Sequence, residues 1–197
     1  MSGLFVTFEG IDRSGKTTQA RMLCQALGDD CLPVREPGGT EVGERVRELL
    51  KDPALAIGPQ AEALLFAAAR AELVERVIRP ALDDGRVVVC DRFLDSSLAY
   101  QGAARGLGVE EIARVNSFAT GGLEPDLTFL LWIEPGAAAG RDGEADRFED
   151  EGAALQLAVQ SGYEQIATGA RWRRLDASRA PEEVHAQVLA EVEAARP

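Results

Sequence analysis

Residues 10–17 read GIDRSGKT and match the phosphate-binding pattern G-x-x-x-x-G-K-[ST]. An apolar run at 4–8 precedes them, and a helical pattern begins near Lys16. Glycines in this pattern let backbone N–H groups point at phosphate oxygens, and the positive end of the following helix adds to the attraction. Lys16 is then expected to reach the β- and γ-phosphates, and Thr17 to offer its hydroxyl to Mg²⁺. The pattern predicts a nucleoside triphosphate as ligand; the alternative is a glycine turn that matches by chance.

Charged residues follow two further apolar runs. The run 86–90 is followed by Asp91 and Arg92, and the shorter run 32–35 ends in Arg35. Because ligands of open α/β sheets bind at the carboxyl ends of strands, these side chains are expected near the phosphate loop. Asp91 is suited to hold Mg²⁺, directly or through water, and Arg92 to bind phosphate, while Arg35 brings a second arginine to the same edge. A helix cap and a solvated glycine turn are the respective alternatives.

The segment LLFAAAR at 64–70 places an aromatic ring and a guanidinium four residues apart on one helix face. Phe66 is then able to stack on a base while Arg70 donates hydrogen bonds to the edge of that base. The alternative is an aromatic core residue beside a surface arginine.

The order of the predicted elements indicates an α/β fold with a parallel sheet. Runs that are apolar throughout alternate with helical patterns, which is typical of a sheet covered on both faces. A segment rich in glycine and charge, 136–150, is either a surface loop or a mobile lid of a phosphate-transferring enzyme. The chain, 1–197, is expected to form one domain. The predicted strands are 4–8, 32–35, 86–90, 127–133 and 172–175; the predicted helices are 16–28, 41–51, 59–84, 96–104, 110–119, 150–168 and 181–195.

The composition argues against several classes of protein. A formal net charge of −12 disfavours a protein that coats nucleic acid or binds an anionic membrane. Cys24, Cys31 and Cys90 are odd in number and form no C-x-x-C pair, and neither a secretory leader nor a membrane-spanning apolar stretch is visible. We therefore expect reduced cysteines and a cytoplasmic protein with no membrane or nucleic-acid partner. His185 is the one histidine, so acid–base chemistry by histidine is not expected.

Taken together, these motifs resemble the thymidylate kinases, P-loop enzymes that phosphorylate dTMP to dTDP with ATP, a step in dTTP synthesis. The resemblance covers nearly the whole chain. It implies a three-layer P-loop kinase fold with a five-stranded parallel sheet and a short lid, Mg²⁺ as cofactor, and a homodimer formed through helices. The matching segments are FEGIDRSGKTTQ (8–19), REPGGT (35–40), LLFAAAR (64–70), DRFLDSSLAYQG (91–102), PDLTFLLWI (125–133), DRFE (146–149) and LDAS (175–178).

The resemblance also implies roles for individual residues. Thr17 and Asp91 are the implied ligands of Mg²⁺. Tyr100 is expected beneath the sugar, where it leaves no room for a 2′-hydroxyl, and Asp12 is expected to reach the 3′-hydroxyl. The implied ATP site comprises Gly10, Ile11, Asp12, Arg13, Ser14, Gly15, Lys16, Thr17, Thr18, Arg141 and Arg147. The implied dTMP site comprises Asp12, Arg35, Pro37, Phe66, Arg70, Arg92, Ser96, Ser97, Tyr100 and Gln101, with Arg35 and Arg92 on the monophosphate.

Thymidylate kinases differ in where they carry a catalytic arginine, and this chain has Arg13 within the phosphate loop. Arg141 is the one candidate in the lid and is out of register with lid-arginine members, so we expect Arg13 to stabilise the transition state and Arg141 to assist. Lys16 and Arg92 complete the expected catalytic set. No general base is required, because the nucleophile is a phosphate oxygen that is largely ionised near neutral pH.

Two other functions fit the phosphate loop. A nucleoside monophosphate kinase with another base preference would share the phosphate machinery. A P-loop switch or regulatory ATPase would act through a protein partner; a GTPase among these would need an N-K-x-D motif, which the chain lacks.

Overall fold

The computed structural model describes residues 3–141 and 152–196. At its centre lies a five-stranded sheet in which neighbouring strands pair in parallel, in the order β2-β3-β1-β4-β5. The α/β fold with five parallel strands, predicted from the alternation of apolar runs with helical patterns, is confirmed. The strands are β1 (Leu4–Glu9), β2 (Cys31–Arg35), β3 (Val87–Asp91), β4 (Leu127–Trp132) and β5 (Trp172–Asp176).

The helices occupy the intervals that the sequence predicted, with three differences. The predicted helix 59–84 is interrupted by a π-helical turn, Val74–Ile78, and most of the predicted helix 96–104 is itself π-helical, Leu98–Ala104. In the expected lid segment a short helix ends at Ala139, and 142–151 lie outside the described residues. The helices are α1 (Lys16–Leu27), α2 (Glu41–Lys51), α3 (Pro59–Leu73), α4 (Arg79–Asp83), α5 (Leu94–Ser97), α6 (Val109–Thr120), α7 (Pro135–Ala139), α8 (Gly152–Ile166) and α9 (Pro181–Ala195).

Helices cover both faces of the sheet. Along β1, Val6 and Phe8 pack into one apolar cluster with residues of α1, α8 and α9, whereas Phe5 packs into a second cluster with residues of α3 and its π-helical continuation. Successive side chains of a strand point to opposite faces, so the two clusters lie on opposite sides of the sheet. The result is a three-layer arrangement with every residue of β1 buried.

The strand order brings the predicted functional segments to one edge. β1 lies between β3 and β4, and Phe8 is in register with Asp91 at the carboxyl end of β3. Arg35, the last residue of β2, is in register with the same aspartate. The segments that follow β1 and β3 therefore leave the sheet side by side, at the position where open α/β sheets bind ligands.

One prediction about the cysteines is wrong. Cys24 and Cys31 are joined in a disulfide, although reduced cysteines were expected. The turn 28–30 carries the chain from the end of α1 back to the start of β2 and brings the two Cα atoms within 5.2 Å, a proximity that an odd cysteine count does not reveal. Cys90 is a free thiol, as expected, and it is buried. Among the described residues no helix has the length and apolar character to cross a membrane.

Candidate active site

The phosphate loop connects β1 to α1 and has the backbone that its glycines permit. Gly10 and Gly15 both have positive φ, of 139° and 100°. A Cβ atom at Gly10 would lie 2.6 Å from the carbonyl oxygen of Leu131, so a larger residue does not fit there. Arg13 also adopts the left-handed conformation, with φ of 60°, which is uncommon outside glycine. The loop is thus held in one unusual shape between a buried strand and the first turn of a helix.

Lys16 folds back over this loop. Its Nζ donates to the carbonyl oxygen of Ile11 at 2.6 Å and to the hydroxyl of Ser14 at 3.2 Å. Burial lowers the pKa of Lys16 to about 8, and the nearby charge of Arg92 acts in the same direction, opposed by Asp91. Phosphate oxygens would favour the charged ammonium, so ligand binding and protonation of Lys16 are coupled.

Thr17 and Asp91 meet at the edge between β1 and β3. The Thr17 hydroxyl donates to Oδ2 of Asp91 at 2.5 Å. Both are oxygen donors next to the phosphate loop, and Mg²⁺ in phosphate-transferring sites is bound by one or two carboxylates together with substrate phosphates. The pair therefore fits the predicted magnesium site in donor type and position.

Arg92 links the β3 end to the phosphate loop. Its backbone N–H donates to the carbonyl of Phe8. Its Nη1 donates to the carbonyl of Gly10 at 3.0 Å, and its Nη2 donates to the carboxylate of Asp12. Burial would raise the pKa of Asp12, but the charges of Arg92 and Lys16 outweigh it and hold that pKa below its usual value. Asp12 is therefore a carboxylate near neutral pH.

Helix α8 holds the same aspartate from the other side. The side-chain amide of Gln156 accepts from the backbone N–H of Asp12 at 3.0 Å and donates to its Oδ2 at 2.7 Å. Sequence reasoning missed Gln156, because the two residues are 144 positions apart and no motif connects them.

Two cavities adjoin the loop. The first, here called the Phe66 cavity, lies beside α3 and the β3–α5 turn. Nine residues of the predicted dTMP site line it, and Arg35 is the one that does not. Its lining also includes Glu36, Arg47, Leu50 and Lys51. The nine are Asp12, Pro37, Phe66, Arg70, Arg92, Ser96, Ser97, Tyr100 and Gln101.

The second cavity, here called the Lys16 cavity, opens on the other side of the loop. The predicted ATP-site residues Gly10, Ile11 and Asp12 do not line it, and Arg147 lies outside the described residues. The β5–α9 turn contributes Ala177 and Arg179, and α9 contributes its first residue, Pro181; none of the three was predicted. The predicted residues that line it are Arg13, Ser14, Gly15, Lys16, Thr17, Thr18 and Arg141.

Arg35 lies elsewhere because it has another partner. Its Nη2 donates to both carboxylate oxygens of Glu44, each at 3.0 Å, and about half of its side chain is exposed. Arg47, one turn further along α2 than Glu44, reaches the cavity instead and donates to the carbonyl of Pro37 at 3.1 Å. Arg47 was not predicted, because its position within α2 does not by itself show that its side chain faces the cavity.

Arg70 is buried rather than at the surface. Only 1% of its side chain is exposed, and its N–H groups donate to protein atoms. Glu36 receives two of these hydrogen bonds, from Nε at 2.8 Å and from Nη2 at 2.5 Å. The other three go to the hydroxyl of Ser97, the carboxamide of Asn116 and the carbonyl of Phe93. These five bonds use every N–H of the guanidinium.

The two arginines proposed for the transition state are interlocked. Nη1 of Arg13 donates to the carbonyl oxygens of Ala139 and Arg141, at 3.3 and 3.0 Å. In return Arg141 donates to the carbonyl of Arg13 at 3.2 Å and to that of Ala177 at 2.6 Å. Both side chains therefore stand at the Lys16 cavity, one from the loop and one from the segment after α7.

Glu9 is a further residue that the motifs did not identify. This last residue of β1 is fully buried, and its carboxylate accepts from the N–H of Phe93, the hydroxyl of Ser96 and the phenol of Tyr163, at 2.6–2.8 Å. Burial raises the pKa of Glu9 to about 7, and the charge of Asp95 adds to the rise. The available signal was an acidic residue directly between the apolar run 4–8 and the phosphate loop.

A phosphate loop on a five-stranded parallel sheet, flanked by one cavity on each side, defines a P-loop kinase. The thymidylate kinase family model matches residues 8–188. The thymidylate kinase of Symbiobacterium thermophilum is 48% identical over 202 residues, covering 98% of this chain and 94% of that protein. That of Pelotomaculum thermopropionicum is 50% identical, covering 96% and 92%, and that of Deinococcus radiodurans is 44% identical, covering 96% of each. The chain belongs to the thymidylate kinase family.

The lowered pKa of Lys16 is directly measurable. Lys16 and Lys51 are the two lysines of the chain, so labelling lysine at Cε with ¹³C gives two NMR signals, and the variant Lys16→Arg assigns them. We expect the Lys16 signal to titrate with a midpoint of about 8, losing its charge as the pH rises, and the midpoint to move upward when ATP is added. A midpoint above about 10 in the free protein, near the reference value for lysine, would contradict the electrostatic description.

Proposed function

We propose that this protein transfers the γ-phosphoryl group of ATP to dTMP and forms dTDP, a reaction of nucleotide synthesis. Membership of the thymidylate kinase family supports this reaction. The structural observation that carries it is the position of two consecutive loop residues: Asp12 lines the Phe66 cavity and Arg13 lines the Lys16 cavity. Nucleotides bound in the two cavities would bring their phosphates to the same short stretch of backbone.

The Lys16 cavity is the proposed site of ATP. Amides of the phosphate loop and the ammonium of Lys16 would hold the β- and γ-phosphates, as in other P-loop enzymes. Arg179, before α9, and Pro181, its first residue, also line this cavity and would contact the remainder of the nucleotide. Thr17 and Asp91 would hold Mg²⁺, which neutralises charge on the phosphates when it is bound.

The Phe66 cavity is the proposed site of dTMP. Phe66 offers a ring for the base to stack on, and Tyr100 would lie beneath the sugar. The monophosphate is assigned to Arg92 at the end of β3. Arg47 takes the second cationic position that the sequence gave to Arg35, because it lines the cavity and Arg35 does not. Asp12, held as a carboxylate by Arg92, would accept a hydrogen bond from a sugar hydroxyl.

The chemistry requires positioning more than proton transfer. The attacking oxygen belongs to a phosphate with a second pKa of about 6, so it is ionised at neutral pH. Catalysis then depends on holding donor and acceptor in line and on neutralising the charge that spreads over the transferred group. Lys16 and Arg13 would supply positive charge to that group, and Arg141 would support Arg13 through the interlocked hydrogen bonds.

A homodimer formed through helices is part of the proposal. Phe118 on α6 is 92% exposed and Leu64 on α3 is 60% exposed, and α3 packs against α6. Large apolar side chains exposed on two adjoining helices are typical of a surface that a partner covers.

The assignment of the acceptor is tested by turnover. Purified protein with Mg²⁺ and ATP is offered dTMP, dUMP, UMP, dGMP or AMP, and the diphosphate product is measured by chromatography. We expect the highest kcat/KM with dTMP, because the ring of Phe66 would stack on the base and Tyr100 would lie beneath the sugar. Strong turnover of AMP with little turnover of dTMP would contradict the base assignment. Rapid ATP hydrolysis without any acceptor would favour a regulatory ATPase.

The role of Arg13 is tested by Arg13→Ala. An arginine that stabilises only the transition state changes kcat and not substrate binding, so we expect kcat to fall by about 10²–10³-fold while KM for both substrates stays within about threefold. Arg141→Ala is the matched comparison at the same cavity, with a smaller loss of kcat expected. An unchanged kcat with a raised KM for ATP would mean that Arg13 binds the substrate rather than the transition state.

A further inference from the structure

The carboxamide of Gln101 is held from behind by a buried carboxylate. Its Nε2 donates to Oε1 of Glu62 at 3.0 Å, and both side chains are about 1% exposed. Glu62 comes from α3, one turn before Phe66, and Gln101 comes from the π-helical stretch after α5. The hydrogen bond therefore joins α3 to the π-helical stretch, and both elements contribute residues to the lining of the Phe66 cavity, although Glu62 itself does not line it.

In this hydrogen bond Gln101 must be the donor and Glu62 the acceptor. An ionised carboxylate only accepts, so Glu62 must face the NH₂ group of Gln101 and not its oxygen. Arg105 reinforces this arrangement, because its Nε and Nη2 donate to the two oxygens of Glu62 at 3.2 and 3.3 Å and balance its charge. A flipped Gln101 would place two acceptor oxygens against each other at a buried position. The amide is thus locked with its Nε2 toward Glu62.

The locked amide offers its oxygen to the cavity. Among the residues that the structure describes, none donates to Oε1 of Gln101, and Gln101 lines the Phe66 cavity. Ser97 lies four residues earlier on the same helical face and supplies a hydroxyl group that can donate a hydrogen bond. The Ser97 hydroxyl accepts from Nη1 of Arg70 at 3.1 Å, which leaves its own proton to donate. The wall therefore presents an acceptor next to a donor.

This pattern matches one kind of base edge. Thymine and uracil present an imide, with an N–H donor at N3 beside a carbonyl acceptor at C4. Cytosine presents the reverse, with an acceptor at N3 and an amino donor at C4. We infer that Glu62 is a positioning residue that fixes the Gln101 amide so that the cavity accepts an imide edge and rejects cytosine. The inference rests on the proposed dTMP kinase activity and extends it to the origin of base selection.

The variant Glu62→Gln tests the lock. A glutamine at 62 either donates or accepts, so Gln101 is free to take both orientations. We expect KM for dTMP to rise about threefold to tenfold with kcat within about twofold of the wild type. We also expect the ratio of kcat/KM for dUMP to that for dCMP to fall at least about tenfold. These two substrates both lack the thymine methyl group and differ only at the base edge, so the ratio isolates its recognition.

Glu72→Gln is the matched control, since it makes the same change on the same helix and removes only a surface ion pair with Arg76. A merely structural role of Glu62 would lower turnover of dUMP and dCMP together. A ratio for Glu62→Gln that stays within about twofold of the wild type would therefore overturn the inference.

The wild-type protein supplies a second test that needs no variant. If the amide is locked, kcat/KM for dCMP is about 10²-fold or more below that for dUMP, because a site built around hydrogen bonds leaves its own groups unpaired with the wrong base. A difference of less than about tenfold would overturn the inference even if Glu62→Gln does not fold. Failure of the proposed function looks different: the wild-type protein would then form no dTDP from dTMP.

Discussion

The site depends on Arg92 being held in an unfavourable backbone conformation. Its φ is 69°, in the left-handed region that residues with a side chain rarely adopt. The end of β1 holds it there, because Phe8 accepts from its N–H at 3.0 Å and Glu9 accepts from the next N–H, that of Phe93, at 2.8 Å. From this position the guanidinium contacts both Gly10 and Asp12. Two chain segments that are far apart in sequence are thereby joined into one binding edge.

Buried carboxylates orient the other side chains of the Phe66 cavity. Glu9 fixes the turn that carries Arg92, Glu36 holds the guanidinium of Arg70, and Glu62 holds the amide of Gln101. Burial of a carboxylate costs stability, which shows in the raised pKa values of Glu9 and Glu36. In return a buried acceptor surrounded by donors tolerates few alternative arrangements, so the cavity wall is ordered before a ligand arrives.

Patterns among neighbouring residues predicted the fold and the phosphate loop. The parts of the site that depend on contacts between distant residues were not predicted. Apolar runs and the glycine pattern at 10–17 are properties of adjacent residues, so the strands and the phosphate loop were found from them. The strand end put Arg35 at the edge of the sheet, and the resemblance put it on the monophosphate, but its pairing with Glu44 decides where its side chain lies. The contact between Gln156 and Asp12, and the disulfide of Cys24, depend on how elements pack, which spacing along the chain does not encode.

We propose that the phosphoryl group passes directly between two nucleotides bound on either side of one loop. The stereochemistry at the transferred phosphorus tests this most directly. ATP made chiral at its γ-phosphorus with oxygen isotopes is reacted with dTMP, and the configuration of the product phosphate is determined. A single in-line transfer from the Lys16 cavity to the Phe66 cavity predicts inversion. Retention of configuration would require an intermediate on the protein and would contradict a site in which the two substrates meet.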